Sequence, residues 1–124
     1  MIVIADDITG AAEIAGIAHS KGLATRLVMV GNEVESLSVS NSVSNSVSND
    51  AVVVMATDTR QMTETEAVRT VEKIVGTVGD CTIFKKTDSV LRGHIKAECD
   101  AILRNTKYER VLLVPQNPSK ARVV

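Results

Sequence analysis

At 124 residues, with 44% apolar side chains, the chain is long enough to bury one core and too apolar to be disordered. A formal net charge of −1 and only 2% aromatics argue against a nucleic-acid partner, which calls for a basic face and stacking rings. No apolar run approaches the roughly 20 residues of a membrane span, and a core of Val, Ile, Leu and Ala suits buried parallel strands covered by helices.

The chain opens on "MIVIA", a β-branched run that reads as a buried first strand, and turns at "DDITG". The apolar start meets Asp6 and Asp7 at once, so no signal peptide is visible and a cytoplasmic location is expected. Residues 10–22 read as a helix of small residues, with Ala11, Ile14, Ala15 and Ala18 at helical spacing and Gly22 at its end. "ATRLVMV" (24–30) and "AVVVMA" (51–56) read as the second and third strands. Between them stands "SVSNSVSNSVSN" (38–49), three copies of one tetrapeptide without charge or large apolar residues. Asn and Ser favour turns, so residues 31–50 are expected to form a flexible loop, tolerated because added loop length costs little.

Thr63 and Glu66 form a capping box that opens a helix reaching about Val75, with Ala67, Val68, Val71, Ile74 and Val75 on its buried stripe. "CTIF" (81–84) reads as a fourth strand. A third helix is predicted from about Ser89 to Arg104, with Leu91, Ile95, Cys99 and Ile102 on one face, and "RVLLV" (110–114) as a fifth strand. The alternation predicts an α/β fold: a doubly wound, mainly parallel five-stranded sheet flanked by helices, three-layered and Rossmann-like, with residues 1–124 as a single domain. Cys81 and Cys99 match no metal or redox spacing and read as reduced thiols, and His19 and His94 as solvated helix residues rather than ligands. An apolar end on two valines after a loop leads us to expect further protein beyond Val124.

A parallel sheet presents its ligand at the carboxyl ends of its strands. Past strand one come Asp6, Asp7 and Thr9; past strand three, Asp58 and Arg60. Past strand four come Lys85, Lys86, Thr87, Asp88, Ser89 and Arg92; past strand five, Gln116, Asn117, Lys120 and Arg122. Arg and Lys suit a carboxylate or phosphate, and a helix start at Ser89 would add N–H donors for an anion. A carboxylate beside a substrate hydroxyl can orient it or take its proton during phosphoryl transfer. Each residue also has a plainer reading. Asp6 and Asp7 can end a strand and cap a helix, Arg60 can pair with Asp58, and Arg92 with Asp88. Lys85 and Lys86 alternate along an extended segment, so one should face the site; Lys86 is in register with Asp88. No G-x-x-x-x-G-K-[ST] or G-x-G-x-x-G loop is present.

"IADDITGAAEIA" (4–15), "DTR" (58–60), "KKTDSVLRGHIKAECDAIL" (85–103) and "VPQNPSKAR" (114–122) resemble the amino-terminal domain of the four-carbon acid sugar kinases, in order and spacing, over essentially the whole chain. The resemblance implies the sugar-acid-binding half of a two-domain, ATP-dependent kinase acting on threonate, erythronate or 3-oxo-tetronate. ATP and Mg2+ would be bound mainly by a carboxyl-terminal domain, and this chain alone would be inactive. By motif, Asp6 or Asp7 would meet substrate hydroxyls, Asp7 being taken as the catalytic one, and Arg60, Lys86, Thr87, Asp88 and Ser89 would grip the acid, supported by Arg92. No resident metal site is expected. The family carries a serine–arginine pair near Arg60, where this chain reads "DTRQM", and a glycine before the last arginine, where Ala121 precedes Arg122.

Two alternatives come from other classes. A phospho-receiver module would have acids after strands one and three, but needs a lysine directly after strand five, where this chain has Pro115 and Gln116. A non-catalytic sugar-acid binding protein is the other. Besides the sugar acid and the carboxyl-terminal domain, a second copy of the chain is an expected partner, through a bare sheet edge; nucleic acid and membrane are not.

Overall fold

A computed structural model of the chain describes residues 1–31 and 51–115. The order is β1 (Ile2–Ala5), α1 (Ile8–Ser20), β2 (Ala24–Met29), β3 (Ala51–Ala56), a 3-10 turn (Thr59–Gln61), α2 (Glu64–Val78), β4 (Ile83–Lys86) and α3 (Ile95–Arg104). The strands form one parallel sheet in the order β2-β3-β1-β4. β1 and β3 lie in the middle and every residue in both is buried, which is why these runs do not alternate with polar residues.

Side-chain alternation along the strands sorts the core into two layers. Ile2, Ile4, Val53 and Met55 face Val71 and Ile74 of α2 and Ala101 and Ile102 of α3. Val3, Ala5, Val52 and Val54 face Ala11 and Ala18 of α1. Helices thus cover both faces, as the α/β reading predicted. The neighbouring strands β1 and β3 send their chains to opposite faces, β1 into α1 and β3 into α2. The two departing loops leave a crevice at the carboxyl ends, the usual ligand position in an open parallel sheet.

Four sequence expectations need correction. The segment 110–114 is not a strand among the described residues: the sheet has four strands, and Val111, Leu112, Leu113 and Val114 are exposed. Tyr108 Oη donates to the Cys81 carbonyl (2.7 Å) and Lys107 pairs with Asp80, so the start of this segment is pinned beside β4. Beyond Tyr108 the chain lines a cavity together with β4 but does not pair with its edge; a β-prone sequence does not by itself supply a pairing partner. β4 itself is displaced: it covers Ile83–Lys86, with Ala5 opposite Lys86, so both lysines belong to the strand.

The third helix starts at Ile95, not near Ser89. Asp88 Oδ2 accepts the Val90 N–H (3.1 Å), as a helix cap would, but also the Arg92 N–H (3.3 Å), which a helix would have bonded to the Asp88 carbonyl; that carbonyl instead accepts the Leu91 N–H in a turn. Leu91 and Gly93 then take left-handed backbone angles, φ 60° and 88°, which a right-handed helix excludes. No helix N-terminus therefore stands at Ser89. His94 is not simply solvated; its Nε2 lies 2.8 Å from the Met62 carbonyl and ties this loop to the one after β3. The SVSN repeat lies outside the described residues, as do Gln116, Asn117, Lys120 and Arg122. Both cysteines are free thiols, and burial raises the pKa of each, which makes them poor nucleophiles. No described helix is long and apolar enough to cross a membrane.

Candidate functional site

The loop after β3 is fastened to the end of β1. Thr57 donates to the Ala5 carbonyl through both its backbone N–H (2.9 Å) and its hydroxyl (2.8 Å), and the Arg60 N–H reaches the Asp6 carbonyl at 3.2 Å. This delivers the Arg60 guanidinium to the two aspartates that follow β1. Arg60 Nε donates to Asp6 Oδ2 (2.9 Å) and Nη1 to Asp7 Oδ2 (2.7 Å), while Asp88 Oδ1 lies 3.7 Å from Nη1. Arg60 therefore pairs with Asp6 and Asp7, not with Asp58. The hydrogen bond that Arg60 donates to Asp6 is the largest cause of its raised pKa.

The two aspartates are not equivalent. Asp6 follows the inward register of Ile2 and Ile4; its side chain is 4% exposed and its Oδ1 has no hydrogen-bond partner. Asp7 is 23% exposed and caps α1, accepting the Gly10 N–H on Oδ1 at 2.7 Å. Asp7 is thus the one of the pair that a ligand can reach.

The loop after β4 closes the other side. Arg92 holds Asp88 in a two-point pair, Nε to Oδ2 (2.9 Å) and Nη2 to Oδ1 (2.8 Å), while its own side chain stays 66% exposed. Hydrogen bonding from the Arg92 side chain is the largest effect on Asp88 and holds its carboxyl well below the usual carboxylate range. The same contact raises Arg92. Because the folded value lies below the unfolded one of about 3.9, this contribution to stability is complete above that pH and is lost as pH falls below it. In acid titrations followed by circular dichroism, the stability advantage of the wild type over Asp88→Asn is therefore expected to hold steady above about pH 5 and shrink below about pH 4. An advantage unchanged down to about pH 2.5 would contradict the assignment.

Lys86 approaches from the α1 side. Its ammonium donates to the Thr87 carbonyl (3.0 Å) and lies 3.9 Å from Glu13. It also passes close over Gly10: a Cβ there would stand 2.8 Å from Asp7 Oδ1 and 3.4 Å from Lys86 Nζ. Gly10 follows Thr9 at the carboxyl edge of strand one in the sequence, which assigns it no site role; its signal is a poor helix former in the first turn of a helix. Gly93 differs: a Cβ there would make only ordinary contact with Asp6 Oδ2 (3.5 Å) and Arg60 Cγ (3.6 Å), and it is its left-handed φ of 88° that favours glycine.

The structure thus brings Asp6, Asp7, Arg60, Lys86, Asp88 and Arg92 to one rim of the sheet. Thr87 contributes its carbonyl to Lys86, and Ser89 is half-buried beside Asp88. A cavity of about 610 Å3 borders this rim; Lys86, Thr87, Asp88 and Ser89 line it, but Asp7, Arg60 and Arg92 do not. Residues 110–115 line it too, so it continues from the rim into the gap between β4 and the unpaired segment.

A family described as the sugar-binding N-terminal domain matches residues 1–124. The chain belongs to this family, which forms the N-terminal domain of the four-carbon acid sugar kinases. No curated protein and no solved structure matches it. A sugar-binding N-terminal domain implies a small sugar as ligand, and the rim carries the side chains such a ligand needs: acceptors for hydroxyls in Asp7 and Asp88, and donors in Lys86 and Arg92.

Proposed function

We propose that the chain is the sugar-acid-binding half of an ATP-dependent kinase that phosphorylates a four-carbon acid sugar of the threonate, erythronate or 3-oxo-tetronate type. The observation that carries this reading is the meeting of Asp7, Arg60 and Lys86 at one rim, from three separate loops or strand ends. In a sugar acid, hydroxyls and a carboxylate lie a few ångströms apart, and this rim alternates acceptors and cations on that scale. The exposed Arg92 guanidinium and the Lys86 ammonium take the carboxylate; Asp7 takes a hydroxyl and receives its proton as the phosphoryl group is transferred.

ATP supplies the phosphoryl group, and a carboxyl-terminal domain of the whole kinase is proposed to hold it together with Mg2+. The described rim does not suit a divalent ion: Arg60 and Arg92 already engage its carboxylates, and no group of three His, Cys, Asp or Glu among the described residues could hold a metal. We assign the ion no ligand here. A cytoplasmic location belongs to the same proposal.

Titration calorimetry with threonate, and with threitol as its neutral counterpart, tests the reading. A charge-assisted contact is worth about 1.5–3 kcal/mol, so threonate is expected to bind about 10- to 100-fold more tightly. Equal affinity would remove the acid from the proposal, and no binding of either would remove the sugar site. Gly10→Ala supplies a second test. Its gain in helix propensity, about 1 kcal/mol, roughly offsets a disturbed Asp7 cap, so stability should change by less than about 1 kcal/mol. Its Cβ pushes Asp7 and Lys86 apart, and threonate affinity is expected to fall about tenfold or more. A threonate affinity in Gly10→Ala equal to wild type would place the ligand away from these two residues.

A further inference from the structure

Beneath the rim lies a charged pair that the proposed binding site does not use. Lys85 stands opposite Ile4 in the sheet and so points into the layer between the sheet and α3. Its side chain is 8% exposed, and Glu98, in the first turn of α3, is 1% exposed. Lys85 Nζ lies 3.0 Å from Glu98 Oε2, an ion pair by distance, yet neither Glu98 oxygen receives an aligned hydrogen bond. Such a pair is a poor stabiliser. Desolvation offsets most of its attraction, and apolar residues of similar volume at such positions often hold a fold equally well or better. The same layer holds the apolar cluster of Ile4, Ile83, Ala101 and Ile102.

The Lys85 ammonium has one further contact, the carbonyl of Lys86 at 3.3 Å. On the opposite face of the sheet, Lys86 Nζ holds the next carbonyl, that of Thr87, at 3.0 Å. Two consecutive carbonyls leading into Asp88 are thus each held by a lysine, one from each face. Asp88 in turn fixes Val90 and Arg92 by their N–H groups and Arg92 by its side chain. We propose that Glu98 is a positioning residue: through Lys85 it fixes the peptide that leads from β4 into the Asp88–Arg92 loop, and so sets the geometry of the sugar-acid rim. This rests on the reading of that rim as a ligand site, and reaches it by a residue that touches no ligand.

Replacing both members, Lys85→Met with Glu98→Leu, separates positioning from packing. The double variant leaves no buried charge, so its melting temperature is expected to match or exceed that of the wild type. Amide hydrogen exchange of Val90 and Arg92 is expected to speed about tenfold or more, while the amides of β1 and β3 keep their protection. Threonate affinity is expected to fall about tenfold or more. Glu98→Gln, which keeps an oxygen near Lys85, should fall between wild type and the double variant in both readouts, and serves alone if the double variant does not fold. Wild-type exchange at Val90 and Arg92 in these variants would overturn the proposal, whatever the ligand result. Faster exchange in a protein whose wild type binds no threonate would leave the positioning role standing and remove the sugar-acid reading instead.

Discussion

Arg60→Met is expected to cost the fold about 3–5 kcal/mol, the usual consequence of removing one partner from a buried ion pair. Asp6 is the reason. Its side chain is 4% exposed, one of its carboxylate oxygens is already unpartnered, and Arg60 Nε is the donor to the other. Without the guanidinium, a buried carboxylate keeps its desolvation cost and loses its compensation. Stabilities of ordinary domains are about 5–15 kcal/mol, so this single change removes a large share of the total. Urea denaturation provides the measurement, and a double-mutant cycle identifies the mechanism. Asp6→Asn removes the charge that Arg60 balances, so adding it to Arg60→Met should recover more than half of the loss. If the two losses simply add, Asp6 is not the group that makes Arg60 necessary, and the coupling between the β1 and β3 loops has another source.

What could be read from the sequence was mostly local. The capping box of Thr63 and Glu66 forms as predicted, because both groups lie within one turn and depend on no other element. The buried run of β3 and the stripe on α2 follow from composition and period alone. The errors arise where distant groups decide. Lys85 and Lys86 looked like loop residues because charge is uncommon inside a strand; β4 is a half-buried edge strand, and Glu98 on one side and Glu13 on the other accommodate its two lysines. The predicted helix start near Ser89 failed because the chain turns left-handed at Leu91 and Gly93, and Asp88 Oδ2 takes the Arg92 N–H that a helix would have directed to the Asp88 carbonyl, an alternative that a propensity scale does not weigh. The segment 110–114 has the β-branched character of a strand, but pairing is a property of two segments. Within the rim, the meeting of carboxyl-end residues was predicted from topology, whereas the partner of Arg60 was not: Asp58 is near in sequence, and Asp6 and Asp7 are near in space.

If the proposed kinase reading holds, Asp7→Asn is expected to lower phosphoryl-transfer turnover of the whole protein by about a hundred- to ten-thousand-fold, the range for loss of a positioned proton acceptor, while threonate affinity changes far less. The geometry explains why the two effects should separate. An asparagine oxygen can still accept the Gly10 N–H at the start of α1, so the cap survives. The carboxylate has two oxygens, one engaged by Gly10 and one by Arg60, and each oxygen retains a lone-pair direction for a substrate hydroxyl. The amide loses the charge and the capacity to take a proton, but not the volume. Asp6→Asn supplies the contrast. Asp6 is shut behind Arg60, so its loss should appear in stability and only weakly in turnover. Steady-state kinetics of the two variants against threonate, with the affinity of each measured by calorimetry, distinguish them. A turnover loss in Asp6→Asn equal to that in Asp7→Asn would mean that the pair acts as one unit through Arg60, and that the accessible carboxylate has no separate role in the chemistry.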